Sequence, residues 1–278
     1  MSLAHSDAPL VDAAGGHPGP IASFAALLRY RELIRNLVSK DLKLKYRGSV
    51  FGFLWSLLNP LVMMLVYTVV FKYIMTIRGS DFVFQLLLGI LSWTFFASSS
   101  SMGAGSIVDN GGLLKTVHFP RAVLPISSVL FNFAQFLLTI LVFLPLMLTI
   151  YQIAPTPTLL LFPVFIALQL MMTMGVAMAL AAGVTFFRDI RHLLEIALMV
   201  LFWTTPIIYD YQTIPEQWRQ RVLFSPMTPF VVAYQQICYH GRVPDLSVWI
   251  VAVTYAVVAL AGGFVLFTRL QHEFVEQI

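Results

Sequence analysis

The sequence predicts an all-α integral membrane protein with six transmembrane helices, an N-terminal amphipathic interface helix and short outer re-entrant helices. Three observations carry that expectation. The chain of 278 residues is 59% hydrophobic and only 11% charged, with a mean hydropathy of +0.83, whereas an ordinary soluble domain is about 25% charged. The charges are clustered, leaving 48–71, 82–108, 122–187 and 246–268 free of Asp, Glu, Lys and Arg. These runs are long enough for spans of about 20 residues, the length that crosses the hydrocarbon as helix.

Taken in order, residues 1–26 read as a flexible, polar, Gly/Pro-rich cytoplasmic tail. They lack the basic start and compact apolar core of a secretory signal, so the first span is expected to serve as the insertion signal. Residues 27–48 have helical periodicity. Tyr30, Leu33, Ile34, Leu37, Val38 and Leu44 fall on one arc, and Glu32, Arg35, Asn36, Ser39, Lys40 and Lys43 on the other. Such a helix lies in the membrane interface. Asp41 and Lys45 intrude on the apolar arc and, four apart, are expected to pair.

From residue 49 onward the chain reads as one transmembrane domain, with spans at about 50–74, 82–108, 122–151, 159–187, 192–209 and 246–268. The long run 122–187 is divided by "IAPTPT" (153–158), whose two prolines are incompatible with helix. The fifth span is the shortest. Glu195 lies near one end of it, where it is expected to pair with Arg191, and Pro206 lies near the other. Residues 210–245 follow. Within them 222–241 lack charge, but Pro226, Pro229, Gln235 and Gln236 spoil a span. Two short helices dipping into the outer leaflet, separated by "SPMTP", satisfy that pattern.

Small residues recur four apart within the spans: Ala97, Ser101 and Gly105, then Gly175, Ala179 and Gly183. This spacing lets helices approach closely in lipid. The serines of "ASSSSMGAGS" are expected to bond their own helix backbone.

Six spans put both ends on one side. That side carries 12 Lys and Arg and the other 5, so both termini are expected in the cytoplasm. The segment "GGLLKTVHFPRAVLP" (111–125) then faces the cytoplasm between spans two and three, with Lys115, His118 and Arg121 on it and Pro120 to stop it.

Several chemistries are unsupported. There is no GxxxxGK[ST] phosphate loop, no HExxH and no GxSxG elbow, and the six histidines are scattered. A single cysteine excludes an internal disulfide. Ionisable groups deep inside spans, the mark of proton-coupled transport, are nearly absent. No catalytic residue, metal site or nucleic-acid partner is expected, and energy for transport would come from elsewhere.

Four ordered stretches resemble the ABC-2 type polysaccharide and O-antigen export permeases, the transmembrane subunits of ABC transporters. These are "SKDLKLKYRGSVFGFLWSLLNP" (39–60), "GGLLKTVHFPRAVLP", "FFRDIRHLLEIAL" (186–198) and "WTTPIIYD" (203–210). The resemblance covers about residues 30–270. It implies a homodimeric pore in the bacterial cytoplasmic membrane, paired with two copies of a separate ATPase subunit. ATP and Mg would sit on that partner, with no cofactor on this chain. The implied cargo is a lipid-linked glycan of the O-antigen, capsule or teichoic-acid kind. Export of a small lipid or drug within the same family is the alternative, and a channel or membrane enzyme without ATP coupling a more distant one.

By the same resemblance, residues 109–121 form a coupling segment that docks on the ATPase. Leu113, Leu114 and Phe119 would fill a pocket there, Lys115, His118 and Arg121 would meet acidic groups at its rim, and Pro120 would end the helix. Arg31, Arg35, Lys40, Arg188 and Arg191 would attract the lipid-linked pyrophosphate. Trp55, Tyr67, Phe95, Phe96 and Trp203 would offer aromatic faces along the path.

Overall fold

A computed structural model describes residues 30–49, 54–74, 82–117, 119–150, 152 and 154–277. The expected tail at 1–26 and His118 lie outside them. Among the described residues the regular structure is helical throughout, without a strand. Helix α1 is Arg31–Lys45 and α2 is Leu54–Tyr67, which runs on as a π-helix over Thr68–Ile74. Helix α3 is Phe82–Gly105, α4 is the short Gly111–Thr116, and α5 is Val123–Ile150. After a 3₁₀ turn at Pro157–Leu161 come α6 (Phe162–Phe186) and α7 (Ile190–Thr204). Two short helices, α8 (Glu216–Leu223) and α9 (Thr228–Cys238), precede α10 (Leu246–Leu270) and the terminal α11 (Phe274–Gln277).

Among the described residues four helical stretches are long and apolar enough to cross a membrane: Phe82–Gly105, Val123–Ile150, Pro157–Phe186 and Leu246–Glu273. Their outer faces show how they are solvated. Leu141 on α5 and Val257 and Val258 on α10 are exposed, as lipid contact allows and water would penalise. The expected fifth span is a helix of 15 residues, α7, that stops at Thr204. It is short because Thr205 turns extended and Pro206 follows. The Tyr209 hydroxyl donates to the carbonyls of Trp203 and Thr204, closing that end.

Helix–helix contact is densest between α6 and α10. A Cβ on Gly175 would overlap the carbonyl of Ala259, and one on Gly263 would overlap that of Gly175. The two backbones therefore touch, which only glycine permits. Between α3 and α6 the close approach is Gly103, whose Cβ would lie 2.7 Å from that of Ala177. The row Ala97, Ser101 and Gly105 differs from expectation within this chain: Ser101 is exposed, and the space over Gly105 is filled by Asp109 and Arg191. On α6, Ala179 is half-buried, and Gly183 packs under Ile190 of α7, with a 2.9 Å approach for an added Cβ. Ser99 and Ser100 are buried with hydroxyls that have no hydrogen-bond partner among the described residues, so the expected backbone bonds do not form there.

Helix α9 is buried along its whole length, packed on α3, α6 and α10. Its polar side chains are absorbed by specific partners. The Tyr234 hydroxyl donates to Gln169 Oε1 at 2.6 Å, and the Gln169 amide donates to the Ser92 carbonyl at 2.9 Å. Gln235 donates to the Pro206 carbonyl, and Gln236 to Asp245. Most of the polar groups that would bar a lipid-facing helix are thus paired inside protein; Thr228 Oγ1 and Gln236 Oε1 are buried without a partner among the described residues.

Candidate functional site

The basic loop between α3 and α5 is built, not slack. Turns carry the chain from Gly105 to α4: Asp109 N donates to the Gly105 carbonyl at 2.9 Å, Gly111 N to the Val108 carbonyl at 3.2 Å, and the Asn110 side-chain amide to the Ser106 carbonyl at 2.8 Å. Helix α4 begins at Gly111, which is buried. Leu113, Leu114 and Phe119 are half-buried against this chain's own apolar cluster around Ile107, Val123, Met178 and Phe267. Tyr30, Leu33, Ile34 and Leu37 of the α1 segment join the same cluster, as does Phe274. The loop helix therefore shares one apolar cluster with residues of α1, α6 and α10.

Leu113, Leu114 and Phe119 lay part of their apolar surface against this chain's own core and leave the rest open. The outward face of α4 is Gly112, Lys115 and Thr116, with Val117 just beyond it. Thr116 bonds back to the carbonyls of Gly112 and Leu113, which stiffens the last turn. Spacing held that signal: with Leu113 and Leu114 turned inward, positions 112, 115 and 116 must point out.

Arg121 and Pro120 are half-buried. Arg121 Nη1 is buried without a hydrogen-bond partner among the described residues, and burial lowers the guanidinium's pKa from its ordinary value. A buried donor left unmatched is costly.

The cations near the loop divide into free and engaged ones. Arg31, Arg35, Lys40 and Arg188 are exposed. Arg191 pairs with Asp109 at 3.1 Å, not with Glu195. Glu195 lies 3.9 Å from His192 Nδ1 instead. Asp109, missed in the sequence, bridges the end of α3 to the start of α7, and glycine at 105 leaves room for the pair. Gly105→Ala should dislodge these flexible side chains and cost less than about 1 kcal/mol of stability, the usual worth of an exposed ion pair. A thermal-unfolding shift as large as that of a core substitution would contradict this.

The expected pore aromatics lie in two kinds of environment. Trp55 and Trp203 are exposed, and Tyr67 is half-buried with its ring 6.1 Å from that of Phe71. Phe95 and Phe96 are core residues, each 3% exposed. Phe95 stacks on Phe136 at 5.2 Å and Phe96 lies 5.9 Å from Trp93. In this chain Phe96 has no open face for a sugar.

With the geometry in view, the sequence profile of the family described as ABC-2 type transporter matches residues 32–239. The chain is 37% identical over 257 residues to the O-antigen export system permease protein RfbA of Myxococcus xanthus, covering 91% of this chain and 97% of that one. It is 29% identical over 246 residues to RfbA of Klebsiella pneumoniae, covering 88% and 94%. It is 24% identical over 223 residues to the polysialic acid transport protein KpsM of Escherichia coli, covering 76% and 83%.

Proposed function

The chain belongs to the ABC-2 type transporter family, and on that premise we propose that it is the membrane subunit of an exporter of lipid-linked polysaccharide, driven by an ATPase on a separate chain. The observation that carries this reading is the end-to-end likeness to O-antigen export permeases. O-antigen-like, capsular and teichoic-acid-like glycans share the chemistry required: a long hydrophilic chain on a phosphorylated lipid.

In this reading the chain crosses the bacterial cytoplasmic membrane six times, with α2 and α7 as first and fifth crossings and both termini in the cytoplasm. The positive-inside asymmetry supports that orientation. Helix α1 lies in the inner interface, and α8 with α9 forms the outer re-entrant segment. Two copies form the path and meet two ATPase subunits, which hold ATP and Mg. Exposed small positions such as Ser101 are available for contact between copies.

Arg31, Arg35, Lys40 and Arg188 supply positive potential to gather an anionic carrier lipid at the inner leaflet, and Arg191 shares its charge with Asp109. Trp55, Tyr67 and Trp203 offer ring faces on which sugars slide. The face of α4 formed by Gly112, Lys115, Thr116 and Val117 meets the ATPase, with Lys115 seeking an acidic rim and Arg121 an acceptor. Because α4 shares a core with α1, α6 and α10, ATP-driven displacement of the docking groove tilts helices and not just a loop.

Crosslinking tests this. Cys238, the sole cysteine, is replaced by serine, and single cysteines are placed at 112, 115, 116 and 117 in the chain co-expressed with its ATPase. Crosslinks to the ATPase that change with ATP are expected at these positions and weakly at 113 and 114. Their absence at every position in a folded complex would remove the reading. Independently, Lys115→Glu should reduce ATPase co-purification about tenfold, the loss that one rim charge pair of about 1.4 kcal/mol gives, while leaving the thermal midpoint of the chain unchanged.

A further inference from the structure

A second site lies away from the loop, where α2, α3 and α5 enclose a cavity of about 410 Å³. That volume is within the roughly 300–1,000 Å³ range of ligand pockets. Its walls change character along their length. At the end nearest α1 stand Lys45, Ser98, Asn132 and Gln135; at the other are Met63, Leu87 and Leu91, with Thr139 the one hydroxyl among them. Along α3 the lining runs from Leu87 to Ser98, eleven residues or roughly 16 Å of helix. Half of a roughly 30 Å hydrocarbon core is about the same length.

Lys45 at the polar end is exposed, and it pairs with no carboxylate among the described residues. Lys45 leaves Asp41, its expected partner, which lines a separate small cavity with Asp109. It donates instead to the neutral Gln135 side-chain carbonyl and sits 5.9 Å from the rings of Tyr46 and Phe131. No carboxylate lines the cavity among the described residues. Partial desolvation of the ammonium lowers the lysine pKa from its ordinary value. Hydroxyls of Ser98 and Thr94 stand on the same wall.

We propose that this cavity holds one phosphate-headed lipid of the inner leaflet, its phosphate on Lys45 and its chain along Leu91, Leu87 and Met63. A cation without a counter-ion selects an anion, and the apolar upper wall selects a chain. A depth of one leaflet fits a lipid whose head rests at the level of α1. The inference depends on the reading that α2, α3 and α5 cross the membrane with α1 at the inner surface. It is separate from whether the chain exports anything. The shared chemistry, a phosphate on a long apolar chain, belongs both to bulk phospholipid and to a polyprenyl carrier.

The test uses the full chain with its ATPase in phosphatidylcholine nanodiscs containing a phosphatidic acid with a photoreactive tail. Labelling is expected on α3 between 87 and 95 and on α5 between 135 and 139. Lys45→Gln should lower it about tenfold, the factor for one charge-assisted contact, and Lys45→Arg should retain it. Thr94→Phe fills the cavity without altering charge and should abolish labelling even if Lys45→Gln fails to fold. Stronger competition by a polyprenyl phosphate than by unlabelled phosphatidic acid identifies a carrier-lipid site. The reverse order identifies a phospholipid site, and either supports the proposal. Equal competition by diacylglycerol, or labelling spread over α5 and α10 and indifferent to Lys45→Gln, overturns it. Failure of the ATPase to co-purify with the unsubstituted chain would remove the transport reading and leave the labelling result standing.

Discussion

Gly175→Val should unfold the transmembrane bundle or prevent its assembly. The added side chain overlaps the Ala259 carbonyl, and neither backbone can turn aside as a side-chain tip would. Helices α6 and α10 would have to separate along the most extensive contact in the chain. Overpacking typically costs about 1–3 kcal/mol and more where nothing yields, so the upper part of that range is expected. Lipid makes the loss harder to recover, because packing and not water exclusion holds helices together there. Gly262 and Gly263 provide an internal contrast on one helix. A Cβ at 263 would strike the Gly175 carbonyl, while one at 262 meets nothing within 4 Å. Gly263→Ala should lower the thermal midpoint by many degrees, and Gly262→Ala should leave it unchanged or raise it, since alanine favours helix by about 1 kcal/mol over glycine. Equal midpoints for the two alanine variants would mean that the α6–α10 contact is not as close as described.

Gln169→Leu is the second large effect. Gln169 is fully buried and serves as the hub for Tyr234 and Ser92. Leucine fills similar space but leaves the Tyr234 hydroxyl, 1% exposed, without an acceptor. An orphaned buried donor costs about 1–3 kcal/mol. Tyr234→Phe removes that donor, and Ser92 Oγ still reaches Gln169 Oε1 at 3.2 Å, so the single change should cost about 0.5–1.5 kcal/mol. The double variant should therefore be no less stable than Gln169→Leu alone. Strict additivity in a double-mutant cycle would show that the two side chains do not share a bond. These bonds pin α9 to α3 and α6, so loosening them should free α9 before the rest of the bundle.

Much of the site was open to sequence reasoning, and its limits are instructive. The loop at 109–121 stood out because cations and prolines interrupt apolar runs, and that contrast survives any folding. Which of its residues face outward was not legible, since Leu113, Leu114 and Phe119 suit a partner's groove and this chain's own core equally well. The pairings Asp41 with Lys45 and Arg191 with Glu195 followed helical spacing. Both gave way to contacts across the chain, Lys45 with Gln135 and Arg191 with Asp109. Exposed pairs four apart are worth only a few tenths of a kcal/mol, so a partner on another helix readily displaces them.

Composition and the spacing of charges and prolines determined, without any structure, that this chain is helical and solvated by lipid, and which loop is basic. Those properties arise from each segment's own exchange with water or lipid. Tertiary structure alone decided which glycines touch, that Phe96 lies in the core, and that Lys45 meets Gln135 beside a cavity of about 410 Å³. The reason is rotational. A helix such as α6 is apolar on every side, so its sequence carries no preferred face, and its orientation is set only when Gly175 meets the backbone of α10 and Gln169 meets Tyr234.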